Sequence, residues 1–452
     1  MNRRDLLLAL ACAIVVSGCA GETNRPQATG KGTVRAINAI ETSPGIVYLI
    51  EERSIGTVNY KSASAANEWD DLAYTFNFEV TLAGDSTRTR VASQFIDVVV
   101  DTDYTIVLTG DLAAPDVTLW EAPRRTFEEG ETVFEARFGH AAPGQAAVDV
   151  YFAAPGIAPA PGQAIGSIAP GEVLAPADYE AGDWVLTLTA AGDPGTVLFT
   201  SRTLTPVVPG SYTFTIFNTD ANDVAPVAVQ LISATGASSK VNDANFPPRL
   251  QLVQASTALA TADVYLEDNG DMLTAPVVTD LAFRDVTAEL PAFVGSNFLT
   301  YTTPMEPAAI LFEAEPVIAA GTRNRFVTLG DMDNLGGLLI AVDARSIETV
   351  ARVSLLHTAL NHASVDFFVV ARDATLEGAV PRITAIVPGS ALRRLELLAG
   401  SYDLYLTPTG DSSTVITGPF PLDVAYGDVV DLVVFDDVGD PSTAAIVDVA
   451  TP

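Results

Sequence analysis

The chain has 452 residues, of which 48% are hydrophobic and 18% are charged, with 33 glycines and 28 prolines. This apolar content excludes a disordered chain, and the length predicts several domains of about 100–200 residues each. The formal net charge of −32 repels phosphate backbones and argues against nucleic acid as a partner. Solubility of an exported protein is the simplest interpretation of this charge, and binding of divalent cations is the alternative.

The start of the chain has the pattern of an export signal. An arginine pair precedes an apolar run over residues 6–16, which is too short to span a membrane. The ending at Gly18 and Cys19 resembles the lipobox of a bacterial lipoprotein signal. The resemblance implies that Cys19 becomes the acylated N terminus and that Cys12 is removed. A plain secretory signal and, from the arginine pair, a twin-arginine signal are the alternatives.

We therefore predict a signal peptide over residues 1–18 and a flexible tether over residues 19–32, which are small and polar. The chain has two cysteines, and removal of the signal leaves only Cys19, so the domains must be stable without disulfide bridges. The predicted location is the bacterial cell envelope, with a lipid anchor in the outer membrane. The chain would face either the periplasm or the surface.

The rest of the chain repeats one design four times. Each repeat opens with two short apolar segments joined by a loop, continues with alternating aromatic segments, and closes with an acidic turn and a last apolar segment. Alternation at a period of two predicts strands with one face on a core. Four polar residues take the equivalent position at the end of the first segment: Asn38, His140, Gln254 and His357.

Many short strands separated by turn residues indicate a sandwich or barrel. The prediction is an all-β chain of four tandem Ig-like β-sandwich domains, arranged as beads on a string. Their predicted bounds are residues 33–124, 133–236, 249–344 and 350–452. The joint over residues 237–248 has the most flexible composition. Residues 63–69 and 390–395 are predicted as single helical turns.

The second repeat carries a family resemblance. The segments Arg137–Ala141 and Val148–Tyr151, followed by an aromatic strand from Gly210 to Phe214, resemble the bacterial domain-of-unknown-function family DUF4397. The resemblance is best in the second repeat, good in the fourth, and weaker in the first and third. It implies tandem Ig-like sandwiches in exported, often lipid-anchored envelope proteins. The family has no assigned catalytic residues, so none are carried over.

The repeats differ at the positions that carry charge. Arg35 and Arg137 occupy equivalent positions in the first two repeats, whereas Gln251 and Ser354 occupy them in the third and fourth. A second position holds an aspartate in the last three repeats, namely Asp149, Asp263 and Asp366. In the first repeat, Ile46 is aligned with this position. Chemistry that depends on either position cannot be shared by all four units.

Acidic turns are the strongest candidate site for a ligand. Oxygen-rich turns after apolar strands suit calcium, although calcium needs six or more oxygen ligands and the EF-hand spacing is absent. The alternative is that aspartate and asparagine simply form the turns. The candidate calcium ligands are Asp268, Asp271, Asp331 and Asp333.

The other polar and aromatic positions have structural interpretations. His140 and His357 are expected to hydrogen-bond a loop backbone, as Asn and Gln do at the same position, and the alternative is a metal site of His357 and His362 with Asp366, although zinc needs three or four ligands. The aspartates Asp149, Asp263 and Asp366 are expected to point outward or to bind a loop amide. The three tryptophans, Trp69, Trp120 and Trp184, are assigned to core packing rather than to a sugar-binding platform.

The functional expectation is a non-enzymatic, lipid-anchored envelope protein whose repeats act as a binding, adhesion or display module. No catalytic residue is assigned, and no cofactor is expected apart from calcium. The expected partners are the membrane, through the N-terminal lipid, and an envelope protein or glycan. The alternative is a purely structural stalk or spacer, stiffened by calcium.

Overall fold

The structure is a computed structural model that describes residues 27–270, 275–390 and 392–449. Every regular element in these ranges is a β-strand, so the prediction of an all-β fold is confirmed. None of the described segments is a helix with the length and apolar character needed to cross a membrane. The predicted signal peptide, Cys19 and most of the predicted tether lie outside the described residues.

Strands of the first half of the chain form two pairs of sheets. The first sandwich consists of β1 (Lys31–Asn38), β2 (Ile46–Ile50), β3 (Arg53–Val58), β4 (Ser62–Ala63), β5 (Asn67–Asp70), β6 (Ala73–Val80), β7 (Thr89–Asp97), β8 (Thr102–Asp111) and β9 (Ala114–Pro123). The second consists of β10 (Val133–His140), β11 (Val148–Ala153), β12 (Gly166–Ile168), β13 (Ala177–Glu180), β14 (Val185–Ala190), β15 (Asp193–Thr200), β16 (Gly210–Phe217), β17 (Ala228–Ser233) and β18 (Ser238–Val241).

The second half repeats this arrangement. The third sandwich consists of β19 (Arg249–Gln254), β20 (Thr261–Glu267), β21 (Val278–Ala282), β22 (Leu290–Pro291), β23 (Gly295–Ser296), β24 (Phe298–Thr303), β25 (Glu306–Ala314), β26 (Val317–Ile318), β27 (Arg323–Leu329) and β28 (Gly336–Ala341). The fourth consists of β29 (Ala351–His357), β30 (Val365–Ala371), β31 (Ile383–Ile386), β32 (Arg393–Leu397), β33 (Gly400–Pro408), β34 (Thr417–Val424), β35 (Val429–Asp436) and β36 (Ala444–Asp448).

All four sandwiches share one topology. In each, a mixed sheet has a parallel central pair: β1 with β8, β10 with β16, β19 with β27, and β29 with β35. The facing sheet is antiparallel, with the orders β3-β2-β6-β7, β12-β11-β14-β15, β21-β20-β24-β25 and β31-β30-β33-β34. The repeated order explains the fourfold sequence pattern, because each repeat supplies the same strands to the same two sheets.

Each sandwich has its own apolar core between its two sheets. In the first, Val34 and Ala36 of the mixed sheet pack against Tyr48 and Phe76 of the antiparallel sheet, and all four are fully buried. Separate clusters of the same kind fill the second, third and fourth sandwiches. The alternation seen in the sequence therefore marks the residues that point into these cores.

The outer faces of the mixed sheets are covered as well. Strand β1 is buried at seven successive positions instead of at every second one, which is the pattern of a strand covered on both faces. The outward residues Ile37 and Val107 of the first sandwich form a buried cluster with Trp120, Phe217 and Ile232. Thus the first two sandwiches pack against each other through their mixed sheets.

The third and fourth sandwiches form the same kind of pair. Their outward residues Val253 and Val327 join Leu356, Val433 and Phe435 in a second buried cluster. The expectation of beads on a string is therefore wrong. The expectation is wrong because it rests on the period-two pattern. This pattern identifies the strand face that points into each sandwich, but it does not show what covers the opposite face.

Charged residues connect the two pairs. Lys61 of the first sandwich forms salt bridges with Asp220 and Asp223 of the second, and the carbonyl oxygen of Asp223 accepts a hydrogen bond from Arg323 of the third. Burial alone would raise the pKa of Asp223, but Lys61 and Lys240 beside it hold that pKa below its usual value. The carboxylate is therefore kept ionised at the point where three sandwiches meet.

The joints between sandwiches are also part of the packed structure. Strand β18, which lies in the joint predicted to be most flexible, pairs with β17 and extends its sheet. In the last joint, Arg345 donates hydrogen bonds to the carbonyl oxygens of Glu41 and Ser43 at 3.0 and 2.9 Å. Glu348 accepts a hydrogen bond from Thr42 at 2.6 Å. These joints therefore bind the sandwiches beside them.

Two segments differ locally from the sequence prediction. The single helical turns predicted at residues 63–69 and 390–395 are wrong, because β5 and β32 occupy parts of them. Both strands pair antiparallel with the first strand of their sandwich, at the edge of the mixed sheet. Helix propensity is a weak guide that edge pairing overrides in both places.

Candidate functional site

The four equivalent polar residues at the end of the first strand fix the loop that follows. His140 Nδ1 accepts the backbone N–H of Ala142 at 3.3 Å, and its Nε2 lies 3.1 Å from the carbonyl oxygen of Ala146. Asn38 makes two equivalent contacts: its Oδ1 accepts the N–H of Ile40 and its Nδ2 donates to the carbonyl oxygen of Val58, at 3.1 Å each. This is the structural role that the sequence predicted.

The third sandwich repeats both contacts, whereas the fourth repeats only the contact with a carbonyl oxygen, since the buried Nδ1 of His357 has no hydrogen-bond partner among the described residues. Gln254 accepts the N–H of Ser256 at 3.1 Å and donates to the carbonyl oxygen of Leu259 at 3.4 Å. His357 Nε2 lies 2.8 Å from the carbonyl oxygen of His362. Both histidines are thus bound to loop carbonyls rather than directed at a common metal, and the described residues contain no group of three or more His, Cys, Asp or Glu that could hold a metal ion.

The buried histidines make stability depend on pH. Burial lowers the pKa of both His140 and His357 below the ordinary value of 6.5. The folded chain therefore binds fewer protons than the unfolded chain just below that value. Their contribution to stability is complete above about pH 6.5 and is lost as the pH falls through the lowered folded pKa.

We expect His140→Asn combined with His357→Asn to fold and to flatten this dependence, because Asn38 performs the same bonding in the first sandwich. The change in the free energy of unfolding at neutral pH should stay within about 1 kcal/mol per site. Melting temperatures measured from about pH 7 to about pH 5 check this expectation. A slope equal to that of the unmodified chain would contradict it.

The strand aspartates bind loop amides, as the sequence predicted. Asp263 accepts the N–H groups of Asp280 and Met305 at 3.0 and 2.8 Å. Asp366 accepts those of Ala385 and Gly410, at 2.9 Å each. Each of these carboxylates therefore ties one loop, at Met305 or Gly410, and the neighbouring edge strand, β21 or β31, to the strand that carries it.

Asp149 accepts the N–H of Gly192 at 2.8 Å, so the second sandwich has the same contact. The sequence alignment of Ile46 with these aspartates is wrong by one residue. Ile46 points into its core, as Val148 does in the second sandwich, so Val47 takes the aspartate position. A one-residue slip changes the face of a strand residue, which is why the buried side chains settle the register.

The acidic turns act mainly as turn formers where they are described. Asp331 accepts the backbone N–H groups of Asp333 and Asn334 at 3.1 and 3.0 Å, which is the usual bonding of an aspartate that starts a turn. Asp268 is exposed beside β20, and Asp271 lies outside the described residues. Calcium binding by these four residues stays a prediction.

The three tryptophans have different surroundings. Trp184 stacks on Phe152 in the core of the second sandwich, with ring centroids 5.0 Å apart. Trp69 packs beside Tyr74 at 5.8 Å in the first. Trp120 lies instead between the first two sandwiches, and its Nε1 donates to the carbonyl oxygen of Gly171 at 2.8 Å.

A polar centre is buried where the first two sandwiches meet. Arg35 donates to the hydroxyls of Thr105 and Thr213 at 3.0 and 2.7 Å. Arg137 donates to the same two hydroxyls, at 2.9 Å to Thr105 and 3.2 Å to Thr213. Each arginine thus binds one threonine of its own sandwich and one of the other. Sequence reasoning noted the arginine position but did not identify it as an interface.

The corresponding centre in the other pair has different chemistry. The strand registers identify the corresponding residues. Gln251 and Arg325 stand where the first sandwich has Arg35 and Thr105. Ser354 and Asp431 stand where the second sandwich has Arg137 and Thr213. Arg325 donates to Gln251 at 2.8 Å and forms a salt bridge with Asp431 at 3.1 Å. The second pair therefore holds a neutral arginine–aspartate pair where the first pair holds two arginines.

A family model matches part of the chain. The model of DUF4397, described as a domain of unknown function, matches residues 32–151. The resemblance to DUF4397 is confirmed. The match covers the whole first sandwich, in which the motifs were weaker, and the first two strands of the second. It includes both Arg35 and Arg137, so the DUF4397 segment contains both arginines of the buried centre.

Other comparisons add little to the family assignment. Among solved structures, the Bacillus anthracis TIE protein is similar over 96% of this chain and 79% of that chain, with 9% sequence identity and a TM-score of 0.17. A TM-score this low carries no argument. No curated protein matches the chain. The all-β architecture and the DUF4397 match are therefore the established points.

Proposed function

We propose that this chain is a non-enzymatic, lipid-anchored protein of the bacterial cell envelope, whose packed sandwiches serve as a rigid module for binding or display. The observation that supports the module most directly is the use of the polar strand residues. His140, His357, Asp149, Asp263 and Asp366 all hold loop backbones. Residues committed to fixing loops suit a scaffold that presents those loops to a partner.

The contacts between sandwiches support a rigid module rather than an extended stalk. Apolar clusters join the sandwiches in pairs, and Lys61, Asp223 and Arg323 connect one pair to the other. Buried apolar interfaces restrict the relative motion of neighbouring domains. A partner would therefore meet loops and edge strands held in fixed positions, and edge strands of such modules can pair with a strand of the partner.

The N-terminal signal supports the anchor, and Cys19→Ala tests it. We expect this change to remove acylation and to move the chain from the membrane fraction to the soluble fraction, because one or two acyl chains supply the membrane affinity. Fractionation followed by mass spectrometry of the N terminus measures both effects. Cys12→Ala is the matched control and should leave anchoring unchanged. An unmodified Cys19 in the wild-type envelope protein would contradict the anchor.

The binding role is tested on the anchored chain in its native envelope. Crosslinking and purification, followed by mass spectrometry of protein and glycan, should recover a partner that the urea-unfolded chain does not retain. Recovery of neither protein nor glycan would contradict a binding module. Turnover of a substrate in a broad hydrolase panel would contradict the non-enzymatic assignment.

A further inference from the structure

The buried centre between the first two sandwiches contains two arginines that form no salt bridge with a described residue, although the carboxylates of Asp103 and Glu135 lie near enough to offset part of their charge. The side chains of Arg35 and Arg137 are only 7% and 5% exposed. In the described part of the chain, their hydrogen bonds go to threonine hydroxyls and to the carbonyl oxygen of Ser233. Burying a charge is costly unless an opposite charge or strong hydrogen bonds compensate it.

One donor in this centre is unsatisfied. The Nη1 atom of Arg137 is buried and has no hydrogen-bond partner among the described residues. Burial, and then the neighbouring Arg137, lower the pKa of Arg35 to about 9, so this side chain still carries its charge at neutral pH. The centre therefore presents positive charge and a free guanidinium N–H together.

The matched position in the other pair shows how the fold balances such a charge. There the single buried arginine, Arg325, meets the carboxylate of Asp431 at 3.1 Å. The residue that corresponds to Asp431 in the second sandwich is Thr213, by its register against the first strand. The first pair of sandwiches therefore has a threonine at the position where the second pair has the carboxylate that balances its arginine.

A cavity of about 330 Å³ opens onto the two arginines. Its volume is within the range of about 300–1,000 Å³ that is typical of small-ligand sites. Asp103 and Glu135 also line it, together with the apolar residues Ala66, Ala122 and Phe127. Asp103 accepts a hydrogen bond from Thr33, and burial raises the pKa of Glu135.

The cavity lining limits the charge of a ligand. Two other arginines of the lining, Arg124 and Arg125, already form salt bridges with Glu68 and Asp178. Arg35 and Arg137 form no salt bridge with a described residue and remain to attract an anion, while Asp103 and Glu135 offset part of their charge and repel an anion that carries several charges. A ligand with a single negative charge therefore fits this cavity best.

We propose that this cavity binds a small organic carboxylate, whose carboxylate group accepts hydrogen bonds from the Nη1 atom of Arg137 and from the guanidinium of Arg35. A planar guanidinium matches a carboxylate in geometry and forms charge-assisted hydrogen bonds with it. Phe127 and the alanines Ala66 and Ala122 offer the apolar surface for the rest of the molecule. The site does not depend on the lipid anchor or on an envelope partner.

The test uses the full chain in detergent with sodium glucuronate as the probe and sodium chloride at equal ionic strength as the reference. We expect glucuronate to raise the melting temperature above the chloride value, and calorimetric titration to give a saturable affinity. Arg137→Gln should weaken that affinity by at least about tenfold, because charge-assisted hydrogen bonds are lost. Neutral glucose should have no effect.

Thr213→Asp provides a more specific test, because it places a carboxylate where Asp431 lies in the third and fourth sandwiches. It should raise the melting temperature without ligand and weaken glucuronate binding by at least about tenfold. Thr213→Asn has the same shape as the Asp variant without its charge and is the control, so that the difference between the two variants reports the charge alone. Equal glucuronate affinities in the Asp and Asn variants would overturn the proposal. So would a wild-type chain that responds equally to chloride and glucuronate, or one that binds phosphate more tightly.

Discussion

Asp431→Ala is expected to lower the free energy of unfolding by about 3–5 kcal/mol, because it leaves a buried charge without its partner. The side chains of Arg325 and Asp431 are 4% and 7% exposed, and they meet at 3.1 Å between the third and fourth sandwiches. Without the carboxylate, Arg325 keeps only its bonds to Gln251 and to the carbonyl oxygen of Val449. Urea unfolding followed by circular dichroism measures the effect.

The matched control removes both charges at once. Arg325→Met with Asp431→Leu should recover most of the lost stability, since apolar residues of similar volume replace a buried ion pair at little or no cost. Asp403→Ala is a second control, because Arg372, its salt-bridge partner, is 31% exposed and can be solvated. If Asp431→Ala and the double variant were equally stable, the pairing of Arg325 with Asp431 would not be what makes Asp431 important.

Trp120→Ala is expected to cost about 3–5 kcal/mol and to affect two sandwiches at once. The ring is buried between them, and its Nε1 donates to the carbonyl oxygen of Gly171 in the second sandwich. Gly139 allows this approach, because a Cβ atom there would lie 2.5 Å from the Trp120 ring. Hydrogen exchange should increase in β10 and β16, although the substitution is in β9.

Phe95→Ala serves as the control for this experiment. Phe95 lies in the same sandwich but is 63% exposed, so its loss should change stability by no more than about 0.5 kcal/mol. An exchange increase that stays within the first sandwich after Trp120→Ala would show that the two sandwiches do not stabilise each other through this residue.

The sequence predicted the strands because burial alternates along them. The aromatic residues Phe76 and Phe78 point into one core and are separated by a residue that points away, which is the pattern that period-two reasoning detects. Short edge strands such as β5 and β32 were missed, because two to five residues at a sheet edge carry no such period. Their composition resembled a helical turn until pairing with the first strand was known.

The pairing of sandwiches could not be read from the same pattern. Ile37 and Val107 point away from the core of their own sandwich, and the residues beside them on that face, Arg35 and Thr105, are polar. A face with such mixed composition is equally typical of a surface exposed to water. Only the other sandwich shows why these residues are buried.

The candidate sites were predictable to different degrees. The loop-binding role of His140 follows from its replacement by Asn38 in the first repeat, because both side chains can accept and donate a hydrogen bond. The buried centre did not follow, although Arg35 and Arg137 were recognised as equivalent. The centre can be recognised only with Thr105 and Thr213, which accept the arginine hydrogen bonds. Each threonine lies about 70 residues from the arginine of its own sandwich, and the two threonines come from different sandwiches.

The radius of gyration of the chain beginning at Gln27 tests the packed arrangement most directly. Small-angle X-ray scattering should give about 22 Å, the value for a single compact body of this length, because apolar clusters join the sandwiches in pairs and hydrogen bonds of Arg323 and Arg345 join the pairs. A value nearly twice as large, with the distance distribution of an elongated array, would contradict the contacts between the sandwiches.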